Sequence, residues 1–494
     1  MDAILDVFAY FLNARFVLMV FSGAVAGLMV GAIPGLSVSM ATALLVSVTY
    51  TWAAQDALAM VMGVYVVGVF SGALSAILLN IPGAPSSVVT TLDGYPLARQ
   101  GRARDALRYA TWYSLIGSLF GILMLWVLAR PISSFALRFQ PMDYFLLALF
   151  GLTMVGALTA HSFKRGLISA CLGLVVSMVG LDSVLGTPRL TFGIKELAAG
   201  IGIVPVLIGL FGFSEVLFVL GGQEGEGEIA RMTKSLVKTR DLLKHWLVSL
   251  YFSAIGLLVG ALPGAGAPVA SFLAYGSAKK LIKNPSAPFG EGAAEGIVAS
   301  ESANNACIGG ALIPMLTLAI PGDAVTAIML SVFYVHGLRP GPMFLRQSPQ
   351  LFHSIIAAGL LSCVFLLLLG LLIAPRIARL ITLPRRVLMP LVAALCVVGA
   401  FAGNNRLFDV GIMLVFGVLG FIMRRRDYPV APMTLAIVLG GMMDDHFRRA
   451  VSLARPEDNF LLAMFGRPIT LALMALIIFV LITKLPWVRQ KMKR

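Results

Sequence analysis

The chain has 494 residues, 59% of them hydrophobic and only 12% charged, with 50 glycines and a formal net charge of +15. A soluble domain carries about a quarter charged residues, so this composition excludes one and points to an all-α polytopic membrane protein. The basic residues sit in short breaks between apolar runs, as cytoplasmic loops do, so the net charge is no sign of nucleic-acid binding.

A spanning helix needs about 20 apolar residues. The N-terminal MDAILDVFAYFLNAR has neither a basic start nor a small-residue cleavage site, so it does not read as a cleavable signal peptide. The first predicted element is a hydrophobic hairpin over roughly 16–52, broken at Pro34-Gly35-Leu36-Ser37. An apolar helix follows, broken from Asn80 through Ile81-Pro82-Gly83 to Ser86-Ser87, then Thr90-Thr91 and Asp93. Four further spans complete a first repeat over 1–222. Residues 223–245 start Gly/Glu-rich and turn basic, which predicts a cytoplasmic linker with a surface-lying helix. The second repeat, 246–445, opens with a hairpin over roughly 246–278 broken at Pro263-Gly264, with a second broken helix at Ile320-Pro321-Gly322. Residues 446–494 hold a last helix and a basic tail.

The two repeats are legible in the residues. GLMVGAIPGLSVSMA from Gly27 returns as GLLVGALPGAGAPVA from Gly256, and Ile-Pro-Gly recurs at 81 and 320. The basic breaks are Arg99 to Arg108, Lys164-Arg165, Arg231 to Lys244, Lys279 to Lys283, Arg376 to Arg386, Arg424 to Arg426 and Lys484 to Arg494. Placing these in the cytoplasm, and the weakly charged breaks with Asp444 to Asp458 outside, makes the first hairpin start and return outside and the second inside. That predicts inverted-topology repeats, about 11–13 membrane segments by this loop count, an outside N-terminus and a cytoplasmic C-terminus.

The breaks are where chemistry is expected. Pro removes an N–H donor and Gly admits unusual backbone angles, so each break leaves a helix end inside the membrane. Free N–H groups there suit a carboxylate, and free carbonyls suit a small cation. The candidates for substrate are Pro34, Gly35, Ser37, Pro82, Gly83, Ser86 and Thr90 in the first repeat. In the second they are Pro263, Gly264, Gly266, Asn304, Asn305, Pro321 and Gly322. A carboxylate at membrane depth is costly and functional by default, so Glu301 and Asp323 are the candidates for binding or coupling a cation, whereas Glu291 and Glu295 read as a solvated helix start. Cys171, Cys307, Cys363 and Cys396 have no paired spacing and read as small buried hydrophobes. The five histidines are scattered, without HExxH, and no nucleotide-binding or hydrolase motif is present. No cofactor is therefore expected.

These motifs resemble the large membrane subunit of tripartite tricarboxylate transporters, the TctA family. The matching stretches include GAIPGL (31–36), the region 65–107, 256–281, ESANNACIGGALIPMLTLAIPGDAVTAIML (301–330), HGLRPGPMF (336–344) and 428–453, nearly the whole chain. The family commonly has Pro where this chain has Ser300, a small residue at Asp323, and Glu at Asp444 or Asp445. The resemblance implies three proteins: a periplasmic binding protein that delivers an organic carboxylate, a small membrane subunit, and this large subunit. The large subunit moves the solute inward on a Na⁺ or H⁺ gradient across the bacterial inner membrane. Citrate, other di- and tricarboxylates and aromatic carboxylates are the implied substrates, and a dimer of the complex is among the expectations. The reading is a secondary active carboxylate importer with a midplane site between the repeats. The rivals are a membrane-embedded enzyme such as a lipid-modifying transferase, for which no acidic metal pair or activated nucleophile is found, and a structural or signalling protein.

Overall fold

The computed structural model describes residues 2–33, 36–158, 163–182, 186–221, 237, 239–373, 385–402, 404–453 and 466–483. Almost all of it is helix, with one short antiparallel pair, β1 (Gly180–Leu181) on β2 (Pro188–Arg189). Seven helices are long and apolar enough to cross a membrane, and five shorter apolar helices accompany them. Residues 34 and 35, 222–236, 454–465 and 484–494 fall outside the described residues, so the first hairpin's Pro34-Gly35 and most of the predicted linker lie there.

After a short α1 (Asp2–Ala9), the first repeat reads α2 (Ala14–Ala32), α3 (Val38–Val48), α4 (Ala54–Leu79), α5 (Val88–Arg99), α6 (Ala103–Ala136), α7 (Pro141–Leu158) and α8 (Phe163–Ser177). Helices α9 (Ile203–Leu207) and α10 (Ser214–Gly221) follow, joined by a π-helical turn. After α11 (Thr239–Leu242), the second reads α12 (Trp246–Gly260), α13 (Gly266–Leu281), α14 (Ala294–Leu318) and α15 (Ala324–Val335). The short α16 (Phe344–Gln347) and α17 (Pro349–Leu372) come next, then helices Arg385–Ala402, Leu407–Arg425, Val430–Leu453 and Pro468–Thr483.

The repeat seen in the letters is a repeat in packing. Small residues let helix backbones approach closely in lipid. A Cβ on Gly27 would lie 2.7 Å from the Val64 carbonyl oxygen, and one on Gly31 would collide with the Gly68 carbonyl. In the second repeat Gly256 faces the Ala303 carbonyl and Gly260 the Cys307 carbonyl in the same way. Aligning Ile81-Pro82-Gly83 with Ile320-Pro321-Gly322 brings Val64 onto Ala303 and Gly68 onto Cys307, so equivalent residues make equivalent contacts. Both central helices, α4 and α14, end on a residue in the left-handed region, Asn80 and Ala319, each at φ 58°. Asn tolerates that conformation; Ala does not favour it, and the packing around the break holds it there.

The contacts also fix direction. Gly23, Gly27 and Gly31 meet Met60, Val64 and Gly68 in turn, so α2 and α4 run parallel. Tyr10 reaches Gln350 and Phe21 meets Phe365 edge to face, so α17 runs with them. Gly359 meets Ile122 while Gly370 meets Thr111, so α6 runs against α17. Gly117 and Gly121 meet Ser302 and Ala306, so α14 runs with α6, and α12 runs with α14. Hence α2 and α4 oppose α12 and α14. The two copies are inverted, as the loop charges predicted.

α4 and α14 form the buried centre, with nearly every residue of each buried; α4 is apolar nearly all round, as a helix buried on all sides is, and α14 carries the buried polar residues. Three expectations are corrected at the periphery. Cys171 is exposed on α8, although the other three cysteines are buried. Helix Val430–Leu453 runs through the first part of the break predicted from Asp444, and the rest of that break lies outside the described residues. On that helix Asp444 pairs with Arg189 at 3.0 Å and Arg448 at 2.8 Å, and Arg448 also meets Asp182 at 2.8 Å. These bonds tie the β-hairpin to that helix. Thirdly, Glu295 is no solvated helix start. It is buried and accepts from the Ser286 N–H at 3.0 Å and hydroxyl at 2.6 Å, whereas Glu291 is exposed.

Candidate functional site

At each break the chain doubles back before the next helix begins. The Gly83 N–H donates to the Gly72 carbonyl at 3.3 Å, so α5 starts beside Gly72 rather than beyond the end of α4. Gly322 returns likewise to Ala311, the residue that corresponds to Gly72. The second hairpin joins this turn, since the Gly264 N–H donates to the Gly322 carbonyl at 2.7 Å.

The two new helices start near the centre and diverge. α5 lies antiparallel to α14: Asp93 lies against Gly296, and the Thr90 and Ser300 hydroxyls are 3.2 Å apart. That register brings the α5 start level with Asn304. α15 runs the other way beside α3, to His336, which lies 3.2 Å from the Thr49 carbonyl. Its start is level with Tyr65, whose hydroxyl donates to Asp323 at 2.6 Å. Along α4 the two levels, Tyr65 and Gly72, are about 10 Å apart at 1.5 Å per residue. Two helix N-termini, each a positive dipole end, thus face one another across the middle of the molecule.

Their caps differ. Asp323 caps α15 in a reciprocal box: its carboxylate accepts from the Thr326 N–H at 2.8 Å, and its own N–H donates to the Thr326 hydroxyl at 2.9 Å. Gly266, at φ 62°, packs beside it, where a Cβ would lie 3.5 Å from that of Asp323. At the first break a 3₁₀ turn (Pro85–Ser87) leads directly into α5, and neither Ala84 before that turn nor Ser87 makes a side-chain cap. The Ser87 hydroxyl is buried without a partner, as are both amide atoms of Asn304. Pseudo-symmetry pairs these observations. Tyr65 of the first repeat corresponds to Asn304 of the second, so Asn304 holds on α14 the place that Tyr65 holds on α4, at the level of the α5 start by the register above. Buried polar groups are nearly always hydrogen-bonded, so an orphaned amide and hydroxyl at an uncapped helix start are suited to a ligand.

Glu301, one turn before Asn304 and Asn305, is fully buried between the repeats. It accepts from the Thr90 hydroxyl at 2.5 Å, the Ser114 hydroxyl at 2.9 Å and the Asn305 amide at 3.4 Å. Asn305 also donates to Ser114 at 2.9 Å and accepts from Ser118 at 3.3 Å. The two asparagines read as a pair in the sequence therefore part company: Asn305 is committed within the protein and Asn304 is free. Asp93 is buried and accepts from the N–H groups of Gly290, Gly292 and Ala293 at 2.8, 3.0 and 2.8 Å, and from the Tyr275 hydroxyl at 2.9 Å. It clamps the loop before α14 onto α5.

Of the sequence-predicted residues, Pro82, Gly83, Ser86 and Thr90 lie at the first helix start and its flank. Pro263, Gly264, Gly266, Pro321, Gly322 and Asp323 lie at the second, and Asn304 lies on α14 level with the first by register. Ser37 caps α3, accepting from the Met40 N–H at 3.1 Å. Tyr65, Ser87, Ser114 and Asp93 belong to the constellation but were not among the candidates. The internal alignment that pairs Tyr65 with Asn304 carried the signal for the first of these. A cavity of about 250 Å³ lies at the far ends of α3 and α15, lined among others by Ser47, Tyr50, Ser331 and Asn404. The Ser47 and Ser331 hydroxyls are buried there without partners.

Comparison with known proteins places these features in a context. The family model described as "Tripartite tricarboxylate transporter TctA family" matches residues 17–435. An uncharacterised 52.8 kDa protein in the TAR-I ttuC' 3' region of Agrobacterium vitis is 34% identical over 473 residues, covering 95% of this chain and 93% of that protein. An uncharacterised protein in the TAR-II ttuC' 3' region of the same organism is 37% identical over 237 residues, covering 48% of this chain and 96% of that protein. No solved structure matches.

Proposed function

The chain belongs to the tripartite tricarboxylate transporter TctA family, whose members are the large subunit of such transporters, and from that premise we propose that it imports organic carboxylates as a cation-coupled secondary transporter. Its partners in this reading are a small membrane subunit and an extracytoplasmic solute-binding protein that delivers the substrate. The membrane is the bacterial inner membrane, with the N-terminus outside and the C-terminus cytoplasmic.

One observation carries the substrate assignment. The α5 start is uncapped, and the Ser87 hydroxyl and Asn304 amide beside it are buried without partners. A carboxylate placed there accepts from backbone N–H groups at the positive end of a helix and from neutral donors. The cavity at the far ends of α3 and α15 supports an outside entrance, because Tyr50 and Asn404 lie in loops with little basic charge.

Coupling is assigned to Glu301. Its carboxylate and the Thr90, Ser114 and Ser300 hydroxyls gather oxygen atoms at the contact between repeats, and hard cations take oxygen ligands. The coupling cation is Na⁺ or H⁺. Moving one repeat against the other changes this cluster and the ligand subsite together, which links the two equilibria.

Uptake of labelled carboxylates into vesicles holding the complete three-protein system, with imposed Na⁺ or proton gradients, tests this. Gradient-driven accumulation is expected for at least one carboxylate. Glu301→Gln is expected to abolish accumulation while carboxylate exchange persists. No uptake of any carboxylate with all three components present would sink the reading.

A further inference from the structure

The two breaks are built alike but furnished differently. In the register that aligns the Ile-Pro-Gly turns, Asp323 stands where the first break has Ala84. Its carboxylate sits at the N-terminus of α15, where an anion binds most readily. It takes the donors an incoming carboxylate would use: the Thr326 N–H and hydroxyl, each at 2.8 Å, and the Tyr65 hydroxyl at 2.6 Å. At the first break Tyr65 is replaced by Asn304 and the acid by alanine. There the donors remain unclaimed, with both amide atoms of Asn304 and the Ser87 hydroxyl fully buried and unpartnered.

We propose that Asp323 is a built-in carboxylate that fills the second of two pseudo-symmetric anion subsites, so that the centre takes a ligand with a single carboxylate at the first subsite and disfavours di- and tricarboxylates. The proposal rests on the reading of this centre as the carboxylate site. Two carboxylates in one site repel, and specificity is set as effectively by a repulsive group as by an attractive one. A second ligand carboxylate reaching toward α15 meets Asp323 instead of free donors, whereas the uncharged remainder of a monocarboxylate does not. Asp323 thus acts as a specificity-determining residue.

The test uses the complex of the large and small subunits in lipid nanodiscs, without the binding protein, so that selection by the membrane site alone is read. Affinities for pentanoate, glutarate and propane-1,2,3-tricarboxylate follow from the ligand-induced shift in thermal unfolding. Wild type is expected to bind pentanoate more tightly than glutarate. Asp323→Asn keeps a good N-cap and removes the charge. Asp323→Ala also frees Tyr65 and Thr326. Both are expected to shift the glutarate-to-pentanoate preference at least tenfold toward glutarate. If the alanine variant does not fold, the asparagine variant carries the comparison. An unchanged preference, a wild type that already favours the di- or tricarboxylate, or absence of saturable pentanoate binding in a complex that transports some carboxylate overturns the proposal and leaves the transport reading standing. Failure of the complete system to move any carboxylate sinks the transport reading itself.

Discussion

The first break and the second break share a backbone plan and differ in what fills it. Each follows a long buried helix that ends on a left-handed residue, each returns along that helix, and each starts a shorter helix near the centre. The close approaches of Gly27 and Gly31 to α4 have equivalents in those of Gly256 and Gly260 to α14. Yet α15 is capped by Asp323, and α5 is left open beside Asn304 and Ser87. Packing preserves the symmetry because a Cβ at the crossing points has nowhere to go. The polar residues are free to diverge, because one side-chain change at a break leaves the backbone path intact.

The comparison breaks most violently at the crossings. Gly31→Leu and Gly260→Leu are each expected to abolish recovery of monodisperse complex, because overpacking costs roughly 1–3 kcal/mol or more and here the colliding partner is backbone. Size-exclusion profiles of the solubilised complex check this. If only one variant fails, the repeats are not equivalent in packing.

Next in size is Asp93, whose counterpart in the second repeat is Val332. Asp93→Ala strands three backbone N–H groups, and hydrogen bonds to charged groups contribute about 1.5–3 kcal/mol each. A fall in the unfolding temperature and faster proteolysis of the loop before α14 are expected. Unchanged protease resistance there would show that the clamp is not what holds the loop.

A smaller and sharper contrast sets Asn304→Ala against Tyr65→Phe, equivalent positions with unequal duties. Loss of the amide is expected to weaken carboxylate binding about 10- to 100-fold, from the cost of one hydrogen bond to a charged group. Loss of the Tyr65 hydroxyl, which serves Asp323, is expected to stay within about threefold, under about 0.7 kcal/mol. Titration of the nanodisc complex with a transported carboxylate measures both, and equal effects would erase the distinction between the subsites. At the low end of the range given for Asn304, Ser87→Ala is expected to weaken binding about 10-fold, the loss of one donor to a charged group, with no loss of unfolding temperature, since its hydroxyl makes no bond within the protein.

Much of this was legible in the residues. Pro-Gly pairs announce broken helices because proline cannot donate and glycine can turn, and a repeated motif announces a repeated fold. Loop charges announced the inversion because lipid penalises carrying basic side chains across. Glu301 stood out because an acid in an apolar run needs a reason. Other roles were hidden. Asn304 and Asn305 look interchangeable in the chain, and only the placement of Ser114 and Ser118 on α6 commits one of them. Glu295 resembled a solvated helix start until the fold laid the Ser286 loop over it.

The membrane class, the two repeats, their opposite orientation and the places where helices break are all written in the order of the residues. These follow from local chemistry: apolar length, backbone constraint and charge near the bilayer surface. Only the tertiary structure decided which donors at those breaks are spent and which remain available. That depends on residues far apart in the chain, such as Tyr65 with Asp323 and Thr90 with Glu301. A hydrogen bond between distant helices is fixed by the packing of backbones, and the order of residues along either helix does not reveal it.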